Sequence, residues 1–341
     1  MKRFTKFASL IIFVLGTFAC KKNPPKEQPV YISIDGFTQG TTYSVIYETE
    51  DTVNYKEQIQ ELLADIDSSM STYNEASVIT AINTNQKTKV DSHFKKVYES
   101  ASRVSQETKG AFDITVGPLV EAYGFGKAER MEMNKKKVDS LLEFVGYKKL
   151  SLNNNKIVKS DPRIRIDMNA IAQGYTVEVI ADYLTKQEVK NYLVEVGGEV
   201  KTRGVNNEGK FWRIGIDKPV EGNYSPGKNL KAIVKLKNKS LATSGNYRKF
   251  YEKDGVKYSH TIHPSTGYPV QSKLLSATVF ANDCARADAL ATAFMVMGLE
   301  NSRDFLSEHK NIDALFIYSD DKGRYQVDYT QDIEESIVRE Y

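Results

Sequence analysis

Ala281–Gly298, ANDCARADALATAFMVMG, is the stretch on which the reading of the fold turns. Asn282 or Asp283 can cap a helix by accepting a bond from an amide of its first turn. Ala285, Ala287, Ala289, Leu290, Ala291 and Ala293 then supply high helical propensity. Gly298 stands where a C-terminal stop tolerates left-handed backbone. The pattern predicts a buried helix, apolar on most sides, with Asp288 and Thr292 inside it. At i, i+4 these two share a face, one turn apart. A carboxylate and a hydroxyl from one turn suit a hard cation such as Mg²⁺, which leaves positions open for phosphate or water. They equally suit a plain buried Asp, with Thr292 bonding back to the Asp288 carbonyl. Cys284, one turn before Asp288, reads as a small buried filler rather than a reactive thiol.

The chain begins MKRFTKFASLIIFVLGTFAC. Lys2, Arg3 and Lys6 form a basic region, and Phe7–Phe18 is apolar but too short to span a bilayer. The segment resembles a bacterial lipoprotein signal. That implies residues 1–19 as signal peptide, Cys20 as the lipidated first residue, and a lipid-anchored place in the cell envelope, on its periplasmic side. Ordinary secretion with cleavage nearby is the alternative. Residues 20–30, with several charges and prolines, read as a flexible tether. The chain has 47 Lys and Arg against 44 Asp and Glu. Losing Lys2, Arg3 and Lys6 with the signal leaves the two signs balanced, which argues against nucleic acid as a partner. If Cys20 is lipidated, Cys284 has no intramolecular partner, and residues 31–341 must hold together by core burial alone. Their length is sufficient for that.

Short β-branched and aromatic runs alternate with helical stretches through this body, an α+β or α/β signature. Tyr31–Ile34 and Thr41–Glu48 read as strands, joined through Asp35-Gly36 and a turn at Gly40. Tyr55–Ser69, Ser77–Asn83, Phe94–Thr108 and Val138–Phe144 carry helical spacing. Lys109–Gly126, KGAFDITVGPLVEAYGFG, reads as loop-rich. Its Phe112, Tyr123 and Phe125 can line a planar ligand or simply fill the core. Leu150–Leu152, Ile157–Lys159 and Ile164–Asp167 read as strands. A turn over Met168–Ala170 then leads into a helix over about Ile171–Leu184. The amides opening such a helix form a ready anion site. Gly174 leaves room for a bulky ligand or for close helix packing. Neither a Walker nor a Rossmann glycine pattern is present. Asn191–Arg203 reads as a strand interrupted at Gly197-Gly198, with further strands at Phe211–Ile216 and Leu230–Lys237. Lys253–Val256 is a hairpin signal. His260 and His263, without a Cys or third His at ligand spacing, suit hydrogen bonding or proton handling better than a transition metal. A helix at Arg303–His309 and strands at Ala314–Tyr318 and Tyr325–Tyr329 close the chain.

Taken in order, the motifs resemble the ApbE-type flavin transferases, which are FAD:protein FMN transferases. The resemblance runs from Gly40-Thr-Thr-Tyr43 and Met70-Ser-Thr-Tyr-Asn74 through Gly110-Ala-Phe-Asp113, Thr115-Val-Gly-Pro-Leu119 and Asp167–Tyr175. It continues in Val196-Gly-Gly-Glu199, Ala242-Thr-Ser-Gly245, Tyr247-Arg248, Tyr258-Ser-His260, Pro264, Thr266-Gly-Tyr-Pro269 and Ala287-Asp-Ala-Leu-Ala-Thr292. It implies an α+β fold of mixed or antiparallel sheets with packed helices, T-fold-related and two-lobed within a single domain. The implied activity is Mg²⁺-dependent transfer of FMN from FAD to a Ser or Thr hydroxyl of an acceptor protein, releasing AMP. The implied metal ligands are the Asp288 and Thr292 side chains and the Ala170 carbonyl. The implied FAD contacts are Gln39, Gly40, Thr41, Ser71, Thr72, Tyr73, Asp113, Gln173, Arg248 and Ile262, with His260 handling the proton of the reacting hydroxyl. Two departures stand out: Gln173 where the family usually has Lys, and His263 where Asp or Asn is common. The same residues also suit a Mg²⁺-dependent FAD pyrophosphatase, with water as acceptor, or a lipoprotein that binds flavin without chemistry.

Overall fold

The computed structural model describes residues 30–126, 129–220, 227–246, 250–253, 256–259 and 261–341. Its frame is an eight-stranded sheet whose strands lie side by side in chain order: Val30–Thr38, Thr41–Thr49, Tyr192–Val196, Glu199–Arg203, Ser240–Gly245, Leu274–Ala281, Asp313–Ser319 and Tyr325–Tyr329. Every neighbouring pair is antiparallel. Helices cover one face. A three-stranded sheet, in the order Ile337–Glu340, Leu230–Leu236, Trp212–Asp217, covers the other, with Phe280, Leu315 and Ile317 packed against Ile216, Val234 and Leu236. This is the α+β architecture expected.

The first hairpin shows how local chemistry sets the register. Gln39 and Gly40 both take positive φ, 49° and 74°, and form the two-residue turn between paired Thr38 and Thr41. Tyr43, Val45 and Tyr47 then alternate inward. Asp35-Gly36 does not turn, contrary to the sequence reading, and the strand runs on to Thr38. Gly36 pairs with Tyr43, and a Cβ there would lie 2.5 Å from the Tyr43 ring, so the missing side chain lets the ring cross the strand.

Other elements fall close to expectation. Helices occupy Lys56–Met70, Val78–Asn83, Ser92–Glu107 and Lys135–Leu142, with Ser77, Asp91 and Asn134 capping the last three. The Lys109–Gly126 stretch is less loop-like than predicted. It contains a helix at Gly117–Ala122, with Pro118 in its first turn, where a missing amide costs nothing. Ile164–Asp167 joins no strand. The Asn83 side chain takes the place of one, donating to the Ile166 carbonyl at 2.9 Å and accepting from its amide at 2.7 Å. Phe250–Lys253 and Val256–Ser259 pair as the hairpin expected there. No helix among the described residues is long and apolar enough to cross a membrane.

The opening stretch is a helix, Cys284–Glu308, capped by Asp283, whose side chain accepts from the Arg286 amide at 2.7 Å. Gly298 breaks it with φ 76° and ψ 175°, and the chain then resumes helical form to Glu308. The helix packs on strands Ser240–Gly245 and Leu274–Ala281 and against the Ala172–Lys186 helix. Its small residues permit close approach. A Cβ on Gly174 would sit 2.4 Å from the Cys284 carbonyl oxygen and 2.8 Å from Asp288 Cβ, so Gly174 serves helix packing.

Candidate active site

A cavity of about 410 Å³ opens where these elements meet. Three layers build it. Ala170 and Gln173 come from the turn and first turn of the Ala172–Lys186 helix, and Asp288, Thr292 and Val296 from the Cys284–Glu308 helix. Thr243 and Ser244 come from the sheet, and Phe112, Val116, Val120, Phe125 and Ile262 form an apolar wall. Such a mix of flat apolar surface and a few convergent polar groups is what a small-molecule pocket requires.

Asp288 is buried, and its Oδ2 accepts the Gly174 amide at 3.0 Å. Burial pushes its carboxyl up to about 7, with the Gly174 bond pulling the other way. The Thr292 hydroxyl meets Ser244 Oγ at 2.9 Å. Asp288 and Thr292 thus face the cavity from one side of the helix, as their spacing requires, and Ala170 of the earlier turn lines the same space. That turn is fixed by the Asp167 carboxylate, which accepts the Asn169 amide at 2.8 Å, and by the Asp167 amide, which donates to the Ile114 carbonyl. Among the described residues no three His, Cys, Asp or Glu side chains converge as a metal cluster. The available donors are hard oxygens of mixed type instead.

The remaining expected site residues divide. Gln173 lines the cavity and lies over the Gly197-Gly198 turn, where a Cβ on Gly197 would fall 2.6 Å from its Nε2 and 3.0 Å from Thr41 Cγ2. Gln39, Gly40 and Thr41 are not among the lining residues; Gln39 donates to Thr176 Oγ1 at 2.7 Å, and the turn reaches the cavity only through Thr41 beside Gly197. Asp113 and Ile262 line the cavity as well. Asp113, however, is occupied by protein: it accepts Thr115 N–H and Oγ1–H at 2.8 and 2.6 Å and the Tyr147 amide at 2.6 Å. Tyr123 is core, packed with Leu119, Val145 and Ile262. Ser71, Thr72 and Tyr73 are not among the lining residues; Ser71 closes the Lys56–Met70 helix and its carbonyl accepts from Ser77 Oγ. Cys20, Arg248 and His260 lie outside the described residues. Cys284 is fully buried, the filler expected, and burial pushes its thiol well up.

Two features escaped the sequence reading. Ser244, quoted within a motif but given no role, is the partner of Thr292. Asp217, with Gly215 and Gly227, brings the edge of the small sheet into the cavity wall. Nothing local marks either one, because each strand reaches the site only through tertiary packing.

Asp113, Asp167, Glu199, Asp217 and Asp288 line the cavity, and no Lys or Arg is among the described lining residues.

The fold and cavity place the chain with proteins already known. It matches the model of the ApbE family over residues 39–316. It is 35% identical to the FAD:protein FMN transferase of Vibrio cholerae serotype O1 over 325 residues, 93% of each chain. It is 34% identical to that of Haemophilus influenzae over 339 residues, 95% of each. Among solved structures it resembles the flavin transferase ApbE from Vibrio cholerae, with TM-score 0.81 and 33% identity, covering 90% of this chain and 99% of that one. It resembles the flavinyl transferase ApbE of Pseudomonas stutzeri in its apo form equally, with TM-score 0.81, 30% identity and coverage of 93% and 100%. The chain belongs to the ApbE family.

Proposed function

We propose that this chain is a flavin transferase that moves FMN from FAD to a Ser or Thr hydroxyl of an acceptor protein, with Mg²⁺ at the Asp288 site. The observation that carries the reading is the convergence of Asp288, Thr292 and Ala170, from two distant segments, on one cavity. A diphosphate beside the Asp288 carboxylate meets like charge, and a divalent cation held between them removes that repulsion. The donors present fit one: a single carboxylate, a hydroxyl and a nearby backbone carbonyl are hard oxygens, and they leave coordination positions for phosphate. A bound divalent cation there neutralises the diphosphate and the departing phosphate oxygen.

The protein's own part is positioning. The Phe112, Val116, Val120, Phe125 and Ile262 wall offers apolar surface to a flat ring system. The opening turn of the Ala172–Lys186 helix, with no side-chain cap, places the positive end of its dipole at the same cavity. In the transfer, the acceptor hydroxyl oxygen bonds to the FMN phosphorus, the phosphorus–oxygen bond to AMP breaks, and the hydroxyl proton leaves to a base. His260 is assigned that proton on the resemblance alone. The sequence at residues 1–20 supports a lipid anchor at Cys20 and work at the periplasmic side of a bacterial envelope.

The test is to incubate the chain with FAD, Mg²⁺ and an acceptor domain. The expected product is an acceptor band with covalent flavin fluorescence, absent after EDTA and absent when the acceptor hydroxyl is removed. Free FMN and AMP with no labelled band overturns the transferase reading in favour of a pyrophosphatase. Bound FAD with no product overturns both in favour of a carrier. Mass spectrometry of the mature chain checks the lipid on Cys20.

A further inference from the structure

The Cys284–Glu308 helix is fastened to the Ala172–Lys186 helix at two points. Gly174 N–H donates to Asp288 Oδ2 at 3.0 Å. One turn further along the first helix and one turn back along the second, Cys284 N–H donates to Glu178 Oε1 at 2.5 Å. The pairing of 174 with 288 and 178 with 284 makes the two helices antiparallel and sets their register. The Cys284 amide is one of the donors that a helix start leaves without an intrahelical partner. Asp283 serves the Arg286 amide, so Glu178 supplies from outside what the helix's own cap does not.

Glu178 is in turn held. Lys201, from strand Glu199–Arg203, lies 2.5 Å from its Oε2, and the two side chains are only 19% and 13% exposed. Lys201 also donates to the Asn282 carbonyl at 3.1 Å, immediately before the helix, and Ser240 Oγ reaches Glu178 Oε1 at 3.3 Å. A buried ion pair is weak evidence for stability, since an apolar pair of like volume often serves as well. Position is a different matter. A helix is stiff along its axis, so fixing Cys284 fixes Asp288 about 6 Å further on, at 1.5 Å per residue. Cation ligands tolerate errors of only a few tenths of an ångström.

We propose that Glu178, braced by Lys201, is a positioning residue that sets the axial placement of the Asp288 helix and thereby the affinity of the divalent-cation site. The proposal rests on the reading that Asp288 and Thr292 hold such a cation. Its test uses cation binding without FAD or turnover: Mg²⁺ titration by calorimetry and Mn²⁺ by electron paramagnetic resonance, on the full mature chain. Two double variants separate position from charge. Glu178→Gln with Lys201→Met removes the ion pair but keeps an acceptor for Cys284 N–H. Glu178→Leu with Lys201→Met removes both. The first is expected to bind within about twofold of the parent and the second about tenfold more weakly, the usual scale for residues supporting a metal ligand. Cys284→Pro cuts the same bond from the other end, at a first helical position where proline is tolerated, and is expected to weaken binding alike. Equal affinity in the two double variants overturns the proposal, as does an unchanged affinity in Cys284→Pro. A parent chain that binds no more cation than Asp288→Ala overturns the metal reading beneath it instead.

Discussion

Asp113 and Asp288 line the same cavity, are 7% and 6% exposed, and have carboxyls that burial pushes upward. They differ in what reaches them. Around Asp113, the loop before the Gly117–Ala122 helix and the turn at Gly146-Tyr147 deliver three donors, and the carboxylate ties the two segments together. Around Asp288, a single amide arrives from Gly174. One acid is consumed in building the wall. The other retains acceptor capacity facing the cavity. Burial and a raised pKa therefore do not by themselves separate the two acids; the number of protein donors already spent on each does.

The most severe way to break that contrast is Asp288→Asn. The amide keeps an acceptor for Gly174 N–H but removes the anionic ligand, so Mg²⁺-dependent transfer should fall by about 10³-fold or more. Its melting temperature should hold or rise, because a buried charge has gone. A rate near that of the parent chain sinks the ligand assignment. Asp113→Ala should do the reverse. It orphans the Thr115 and Tyr147 amides, at a cost of about 2–4 kcal/mol and several degrees of melting temperature, with activity lost only in step with the folded fraction. If Asp113→Ala melts like the parent, the carboxylate is not the tie described. Gly174→Ala sharpens the comparison with a smaller effect. Its Cβ would press on the Cys284 carbonyl and on Asp288, costing about 1–3 kcal/mol and weakening Mg²⁺ binding together, as melting and calorimetry on one sample can show.

The smallest effect concerns His263, outside both regions. Burial lowers its pKa below the usual value. The folded state thus binds a proton less readily than the unfolded chain. Its contribution to stability is present above the unfolded pKa and is lost as pH falls through the folded one. Melting temperature should drop between pH 7 and pH 5 by slightly more in the parent than in His263→Gln. Identical pH profiles would remove the histidine from the acid response.

Much of this was legible in the chain, unevenly. The Asp288 helix announced itself through Asp283, the alanines and Gly298, because caps and propensity act locally. Its neighbour in the sheet did not. Leu274–Ala281 is buried at every position but one, a central strand with covered faces, so the alternation that reveals a half-exposed strand is missing. Ile164–Asp167 erred the other way: its composition suits a strand, but the side chain of Asn83 takes up the backbone groups another strand would have paired. Asp288, Thr292, Ala170 and Gln173, to which the ordered motifs pointed, all line the cavity. Ser244 and Glu178 were given no role, since what each does depends on an atom 48 or 106 residues away.

The same separations have a consequence in time. The bond from Gly174 to Asp288 spans 114 positions, and Thr292 lies within the last fifty residues of the chain. A polypeptide made from its N-terminus can complete the eight-stranded sheet's first half, and even the Ala172–Lys186 helix, while the cavity still lacks the side that Asp288, Thr292 and Val296 supply. Competence arrives late and at once, when the C-terminal helix docks, so a truncated or half-delivered chain is incapable of flavin chemistry rather than careless with it.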